Sequence, residues 1–231
     1  MVLSEFTNGT PAVLTERLES AGLKLNCNSL RQIGDFYPTK KTNGLAVFSR
    51  IPIRSVAAAE ETAPFRWLDL EVVNYGIDIC AMHVPGWGKM HPIQRAREIK
   101  AGRAPALRKL RYKEQTWDAL LVAAEKRIHS KQVIIGDLNT GLYKLDEGGK
   151  TFECVDHFKK LLQIGYRDAW RNVHGYKREY SLYSSAGNGF RLDHAFVSPT
   201  LYDSIENCAY CHAPRVEKLS DHSMLQLRLK T

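Results

Sequence analysis

The apolar positions of this chain fall in short runs parted by turn residues, and two periods take turns along it. Val2–Phe6 reads as a short strand carrying the acidic Glu5 near its end, and Asn8-Gly9-Thr10-Pro11 then turns the chain. Val13, Leu14 and Leu18 stand at helical spacing and predict a helix over Ala12–Ser20, closed by Gly22. Gly44–Ser49 predicts a buried strand stopped by Pro52. Residues 67–73 alternate as a half-buried strand, and Tyr75-Gly76 turns them into Ile77–His83. Residues 92–128 carry a long helical period. Val133-Ile134-Ile135, three β-branched residues in a row, predict a buried strand ended by Gly136. A helix over 154–162, a strand-like stretch at 180–184 and strands over 191–198 and 223–229 complete the chain. Strands and helices in alternation define an α/β fold, and 231 residues predict one domain spanning 1–231.

Polar side chains interrupt or end these apolar strands at Glu5, His83, Asp137, Asn139, Asp193, Asp221 and His222. Asp137 and Asn139 stand one residue apart, and alternation on an extended backbone would send both to one side of the strand's mouth. Each residue alone has a structural explanation: a turn or cap for the acids and amides, a satisfied core imidazole for His83. Together they are the groups that a hard cation and a phosphate ester need. Carboxylates at Glu5 and Asp221 can hold Mg²⁺ or Mn²⁺ and leave water positions open. His222 beside Asp193 makes an oriented base if their strands adjoin. Asp137 and Asn139 can orient the attacking water, and His83 can hydrogen-bond a phosphate oxygen. The chemistry composed is metal-assisted hydrolysis of a phosphoester.

Charge extends this picture to a substrate class. The formal net charge of +8 favours a polyanionic partner, although a basic surface also serves solubility. Lys89, Arg95, Arg97, Lys100, Arg103, Arg108, Lys109, Arg111 and Lys113 crowd into one stretch with few acids, as either a solvated helix face or a nucleic-acid contact surface. No apolar run approaches a membrane span and the N-terminus lacks the features of a signal peptide, so the expectation is a cytoplasmic protein. Its five scattered cysteines then read as reduced thiols. Cys208-Ala209-Tyr210-Cys211-His212 spells the c-type haem attachment pattern, but haem attachment needs export and the segment alternates like a strand. No second Cys or His pair stands at zinc-ligand spacing.

Ordered motifs resemble the endonuclease/exonuclease/phosphatase superfamily, including deoxyribonuclease I, exonuclease III and the AP endonucleases. Leu3-Ser4-Glu5 is similar to the family's metal-binding Glu motif, residues 44–50 to its G-x-A-x-x-S-R strand and His83-Val84-Pro85 to its Tyr/His-x-P segment. Gly136-Asp137-Leu138-Asn139 is similar to G-D-x-N, Arg191-Leu192-Asp193-His194 to R-x-D-[YH] and Ser220-Asp221-His222 to the terminal S-D-H. The resemblance implies a four-layer α/β sandwich of two packed mixed β-sheets flanked by helices. It implies metal ligands at Glu5 and Asp221 and catalytic roles for His83, Asp137, Asn139, Asp193 and His222. Nucleic-acid contacts would come from Lys89, Arg95, Arg97 and Arg191. Tyr180, Leu182 and Phe190 fall where AP endonucleases form an aromatic pocket. The family's first strand, which ends in an Asn, finds no match here, so the domain is expected to be N-terminally short. The implied function is a Mg²⁺- or Mn²⁺-dependent phosphodiesterase of nucleic acid, DNA favoured over RNA, acting as endo- or exonuclease. The alternatives are a phosphoesterase of a non-nucleic-acid substrate and a catalytically impaired nucleic-acid-binding relative.

Overall fold

The computed structural model describes residues 1–10, 12–30, 37–56, 65–86, 100–102 and 104–230. The order of elements is β1 (Val2–Phe6), α1 (Ala12–Ser20), β2 (Lys24–Asn28), β3 (Gly44–Ser49), β4 (Ile53–Val56), β5 (Trp67–Val72) and β6 (Ile77–His83). There follow α2 (Ala104–Arg127), β7 (Gln132–Asp137), α3 (Val155–Ile164), β8 (Arg167–Asp168), α4 (Ala169–His174), β9 (Leu182–Tyr183) and β10 (Gly189–Phe190). The chain ends with β11 (Asp193–Val197), a 3₁₀ turn (Pro199–Ser204), β12 (Ile205–Cys211), α5 (Ala213–Val216) and β13 (Met224–Leu229).

The central layer is a mixed six-stranded sheet ordered β4-β5-β6-β7-β11-β8, in which β6 and β7 run parallel and their neighbours antiparallel. A parallel pair needs a crossover connection, and α2 is the helix of the one between β6 and β7. Its buried Trp117, Leu120, Leu121 and Ala124 join Phe158 and Leu161 of α3 on Met82, Ile134 and Phe196 of the sheet. Each large side chain so buried contributes about 1.5–3 kcal/mol, enough to hold both helices on that face. The opposite face carries a three-stranded sheet, β1-β3-β2, and the β12-β13 hairpin. Val2, Leu45 and Val47 pack there against Leu68, Leu70 and Ala81. Leu225, Leu227 and Leu229 of β13 pack with Val133, Ala195 and Val197. Ile79 lies in both clusters, so β1 and β13 cover the same face of the large sheet. With α1 packed on β2, the layers are helix, sheet, sheet and helix, the four-layer α/β sandwich.

Three expectations are corrected. The helix expected over 92–128 begins at Ala104, after a turn in which Gly102 takes a φ of +68°, and 91–99 lie outside the described residues. Gly136 does not end β7 but lies within it, with a φ of +146°. A Cβ there would stand 1.9 Å from the carbonyl oxygen of Met82, so the close approach of β6, and not a turn, requires glycine. Asp137 and Asn139 do not share a side by strand alternation. Asn139 has a φ of +48°, and the two residues meet through a local turn.

The five cysteines are free thiols. Cys208 is fully buried among Val133, Trp170 and Val197, so the first cysteine of the haem-like pattern belongs to the core. Among the described residues, no helix is long and apolar enough to cross a membrane.

Candidate active site

Strand register places the polar groups in one row. His83 at the end of β6 is opposite Asp137 at the end of β7, and Asp137 is opposite Asp193 at the start of β11. Arg66, one residue before β5, accepts a backbone hydrogen bond at its carbonyl from the His83 N–H (3.0 Å) and so extends the row to a fourth strand. Partners at one register project to one face of a sheet. His222, in the segment leading into β13, closes the row: its Nδ1 lies 2.7 Å from Oδ2 of Asp193, and its backbone bridges to Leu182.

Asp137 and Asn139 form a compact unit. The Asn139 backbone N–H donates to Oδ1 of Asp137 (2.9 Å), and its side-chain Nδ2 donates to Oδ2 (2.9 Å) and to the Val84 carbonyl (2.9 Å). Gly86 makes room for this amide, since a Cβ there would stand 2.7 Å from Asn139 Oδ1. Beneath the turn Lys113 of α2 is buried. Its Nζ donates to the Asn139 carbonyl (2.7 Å) and lies 3.5 Å from Glu153. Lys113 thus supports the turn from inside, and its place in a surface contact run is a correction.

Electrostatics follow from this crowding. Burial, and then the charge of Asp193, push the Asp137 carboxyl up to about 7, while His222, the Asn139 N–H and Lys113 oppose the rise. Burial works against a charged His222, but its hydrogen bond to Asp193 and the charges of Asp193, Asp137 and Asp221 outweigh it and carry the ring to about 9. His83 moves the other way, to about 3, chiefly by burial and then by the charges of Arg66 and His222. Its Nε2 stands 3.7 Å from Asp137 Oδ2.

Glu5 and Asp221 are both exposed. Glu5 interrupts the β1–β3 register between Ser4 and Phe6 and takes a φ of +58°. A bulge with a non-glycine residue in the left-handed region re-aims a side chain at the cost of local strain. Among the described residues, no three His, Cys, Asp or Glu side chains gather as a ready-made metal cluster.

Arg191 is corrected outright. It is fully buried, with Nε 2.7 Å from Asp146 Oδ1 and Nη2 2.5 Å from Asp168 Oδ2, and Arg171 also pairs with Asp146. It cannot reach a nucleic acid. Its place is to hold the segment before Asp193 against the loop that bears Asp146. Lys89, Arg95 and Arg97 lie outside the described residues. Leu182 and Phe190 pack on Phe152, Val155 and Leu192 as a small core cluster, and Tyr180 sits edge-on to Tyr183.

Sequence reasoning missed Arg66 and Gly86, and it missed the supporting place of Lys113 beneath the turn. The Tyr75-Gly76 turn carried a signal for Arg66, because the register it sets opposes Trp67 to Met82 and therefore Arg66 to His83. Lys113 carried none, since it sits in a run of cations along one helix.

The family model for the endonuclease/exonuclease/phosphatase family matches residues 1–222. The chain therefore belongs to that family. No sequence among the curated proteins matches it. Among solved structures it is similar to an AP endonuclease from Archaeoglobus fulgidus, with TM-score 0.74 and 21% identity over 100% of this chain and 89% of that one. It is also similar to a 3′ phosphatase from Neisseria bound to a product DNA hairpin, with TM-score 0.73 and 21% identity over 100% and 88% of the two chains. A 3′-5′ exonuclease from Neisseria meningitidis gives TM-score 0.72 and 22% identity over 100% and 88%. At these identities the likeness is one of fold.

Proposed function

We propose that this chain is a divalent-metal-dependent phosphodiesterase that hydrolyses nucleic acid, with DNA favoured over RNA, as an endo- or exonuclease. The observation that carries the reading is the row His83–Asp137–Asp193 closed by His222, which brings an acceptor, an oriented imidazole and hydrogen-bond donors to one end of the sheet. A buried carboxyl pushed up to about 7 suits a group that takes a proton from water near neutral pH, and Asp137 has that role. The Asn139 amide holds the carboxylate in place. His222, oriented through Nδ1 by Asp193, keeps Nε2 for a proton or a phosphoryl oxygen. His83 donates a hydrogen bond to the phosphoryl group.

A hard cation fits the chemistry of the site. Two carboxylates, Asp137 and Asp193, press on one another there, and hard oxygen donors of this kind suit a hard divalent cation. Glu5 and Asp221 would hold Mg²⁺ or Mn²⁺, because Mg²⁺ commonly takes one or two carboxylates and completes its shell with water and substrate phosphate. When bound, the ion neutralises charge that develops on the phosphoryl oxygens. The formal charge of +8 favours a polymeric phosphate over a small ester.

Purified protein with Mg²⁺ or Mn²⁺ is incubated with duplex DNA, abasic duplex, single-stranded RNA and a small phosphodiester. Chelator-sensitive cleavage of DNA that weakens steeply with added salt supports the reading. If all nucleic acids stay intact with either metal, it is wrong. Preferential turnover of the small ester favours the non-nucleic-acid alternative.

A further inference from the structure

We propose that Arg66 is a positioning residue that locks His83 as a neutral imidazole with its proton on Nε2, making the ring a fixed hydrogen-bond donor at the site. The inference deepens the phosphodiesterase reading and rests on it for its catalytic meaning. Its structural basis is independent of that reading.

The geometry leaves one assignment. Nη1 of Arg66 lies 3.2 Å from Nδ1 of His83. A guanidinium has only donors and keeps its charge at any pH a protein survives, so Nδ1 must accept. The ring proton is then on Nε2, which stands 3.7 Å from Asp137 Oδ2, beyond hydrogen-bond distance, so the N–H is not committed to that carboxylate. The arrangement is held twice, because the His83 backbone N–H also donates to the Arg66 carbonyl at 3.0 Å.

The groups facing His83 from packed elements are Arg66 before β5, Asp137 on β7, Asp193 on β11 and His222 before β13. Two of these can carry positive charge, and the ring is almost wholly buried. Both facts disfavour a second ring proton, in keeping with the strongly lowered proton affinity of His83. The guanidinium field also reaches Tyr112 of α2. His83 is therefore no proton shuttle. It presents the same N–H throughout the pH range in which the chain folds.

Two-dimensional ¹H–¹⁵N correlation spectra of the histidine rings in the full chain read this without substrate. A ring signal that vanishes in His83→Gln identifies the residue. The expected wild-type pattern is an Nε2–H tautomer that does not titrate between pH 5 and 8. In Arg66→Leu the same ring gains a titration inside that window, a shift of roughly two units or more, and loses its single tautomer. Arg66→Lys keeps a donor and a charge and restores the Nε2–H form. Activity follows the same order: kcat falls in Arg66→Leu and is recovered in Arg66→Lys. A wild-type Nδ1–H tautomer, titration near pH 6.5, or a tautomer indifferent to Arg66→Leu would overturn the proposal. A chain with the expected tautomer that hydrolyses nothing overturns the phosphodiesterase reading instead.

Discussion

His222 Nδ1 and Asp193 Oδ2 lie 2.7 Å apart although 29 residues separate them in the chain. The distance is set by three pairings: β11 against β7, Leu182 against His222, and the Tyr210 hydroxyl donating to the Asp193 carbonyl at 2.5 Å. Replacing Asp193 with Asn keeps an acceptor for Nδ1–H but removes the charge. The His222 ring is then expected to fall from about 9 toward its ordinary value near 6.5, followed by NMR titration. Hydrolysis should drop about 10²-fold or more. The sign for stability follows from the raised proton affinity. The pair stabilises the fold fully below about pH 6.5, and that contribution is lost as pH rises through about 9. A His222 titration unmoved in Asp193→Asn would contradict the pairing.

Lys113 offers a test from the opposite side of the site. Its charge lowers the Asp137 carboxyl, and its Nζ holds the Asn139 carbonyl at 2.7 Å. Lys113→Met removes both effects, so Asp137 should bind its proton more tightly. The acid limb of the pH–rate profile should move to higher pH, with kcat at pH 7 down by roughly tenfold. A profile shifted the other way would rule out Asp137 as the proton acceptor.

Arg191 is expected to act on stability alone. Burial would raise Asp146 and Asp168, but the charge of Arg191 holds both below the ordinary carboxylate range. In Arg191→Met Asp168 and Asp146 lose this buried cation, with Arg171 left beside Asp146, which should cost about 3–5 kcal/mol, read from urea midpoints. The pH sign also reverses. In the wild-type chain the folded carboxylates stay ionised, so their contribution is full above about pH 4 and is lost on further acidification. In the variant they bind protons more readily folded than unfolded, so stability should rise from pH 7 to pH 5. The salt slope of nucleic-acid binding should not change, since Arg191 touches no surface.

Much of this was legible in residue order. The bounds of β1, α1, β3 and β6 follow from period and turn chemistry, because a short run that buries one face leaves little choice of register. The row from His83 to Asp193 was legible as residue types and became a site only through pairing. Strand order is set by contacts between distant segments, which no local pattern encodes. Arg191 shows the limit most clearly. An arginine in a motif beside a candidate site Asp reads as a phosphate contact, and only its enclosure by Asp146 and Asp168 reveals a structural cation. Gly136 was misread for a similar reason, since the Met82 carbonyl that excludes a side chain there comes from a strand more than fifty residues earlier in the chain.

The most direct test compares wild-type protein with Asp137→Ala on duplex DNA in Mg²⁺ or Mn²⁺, measuring cleavage and binding over a range of salt. Cleavage should fall about 10²-fold or more, while salt-sensitive binding survives. Equal cleavage rates in the two proteins would show that the chemistry lies elsewhere.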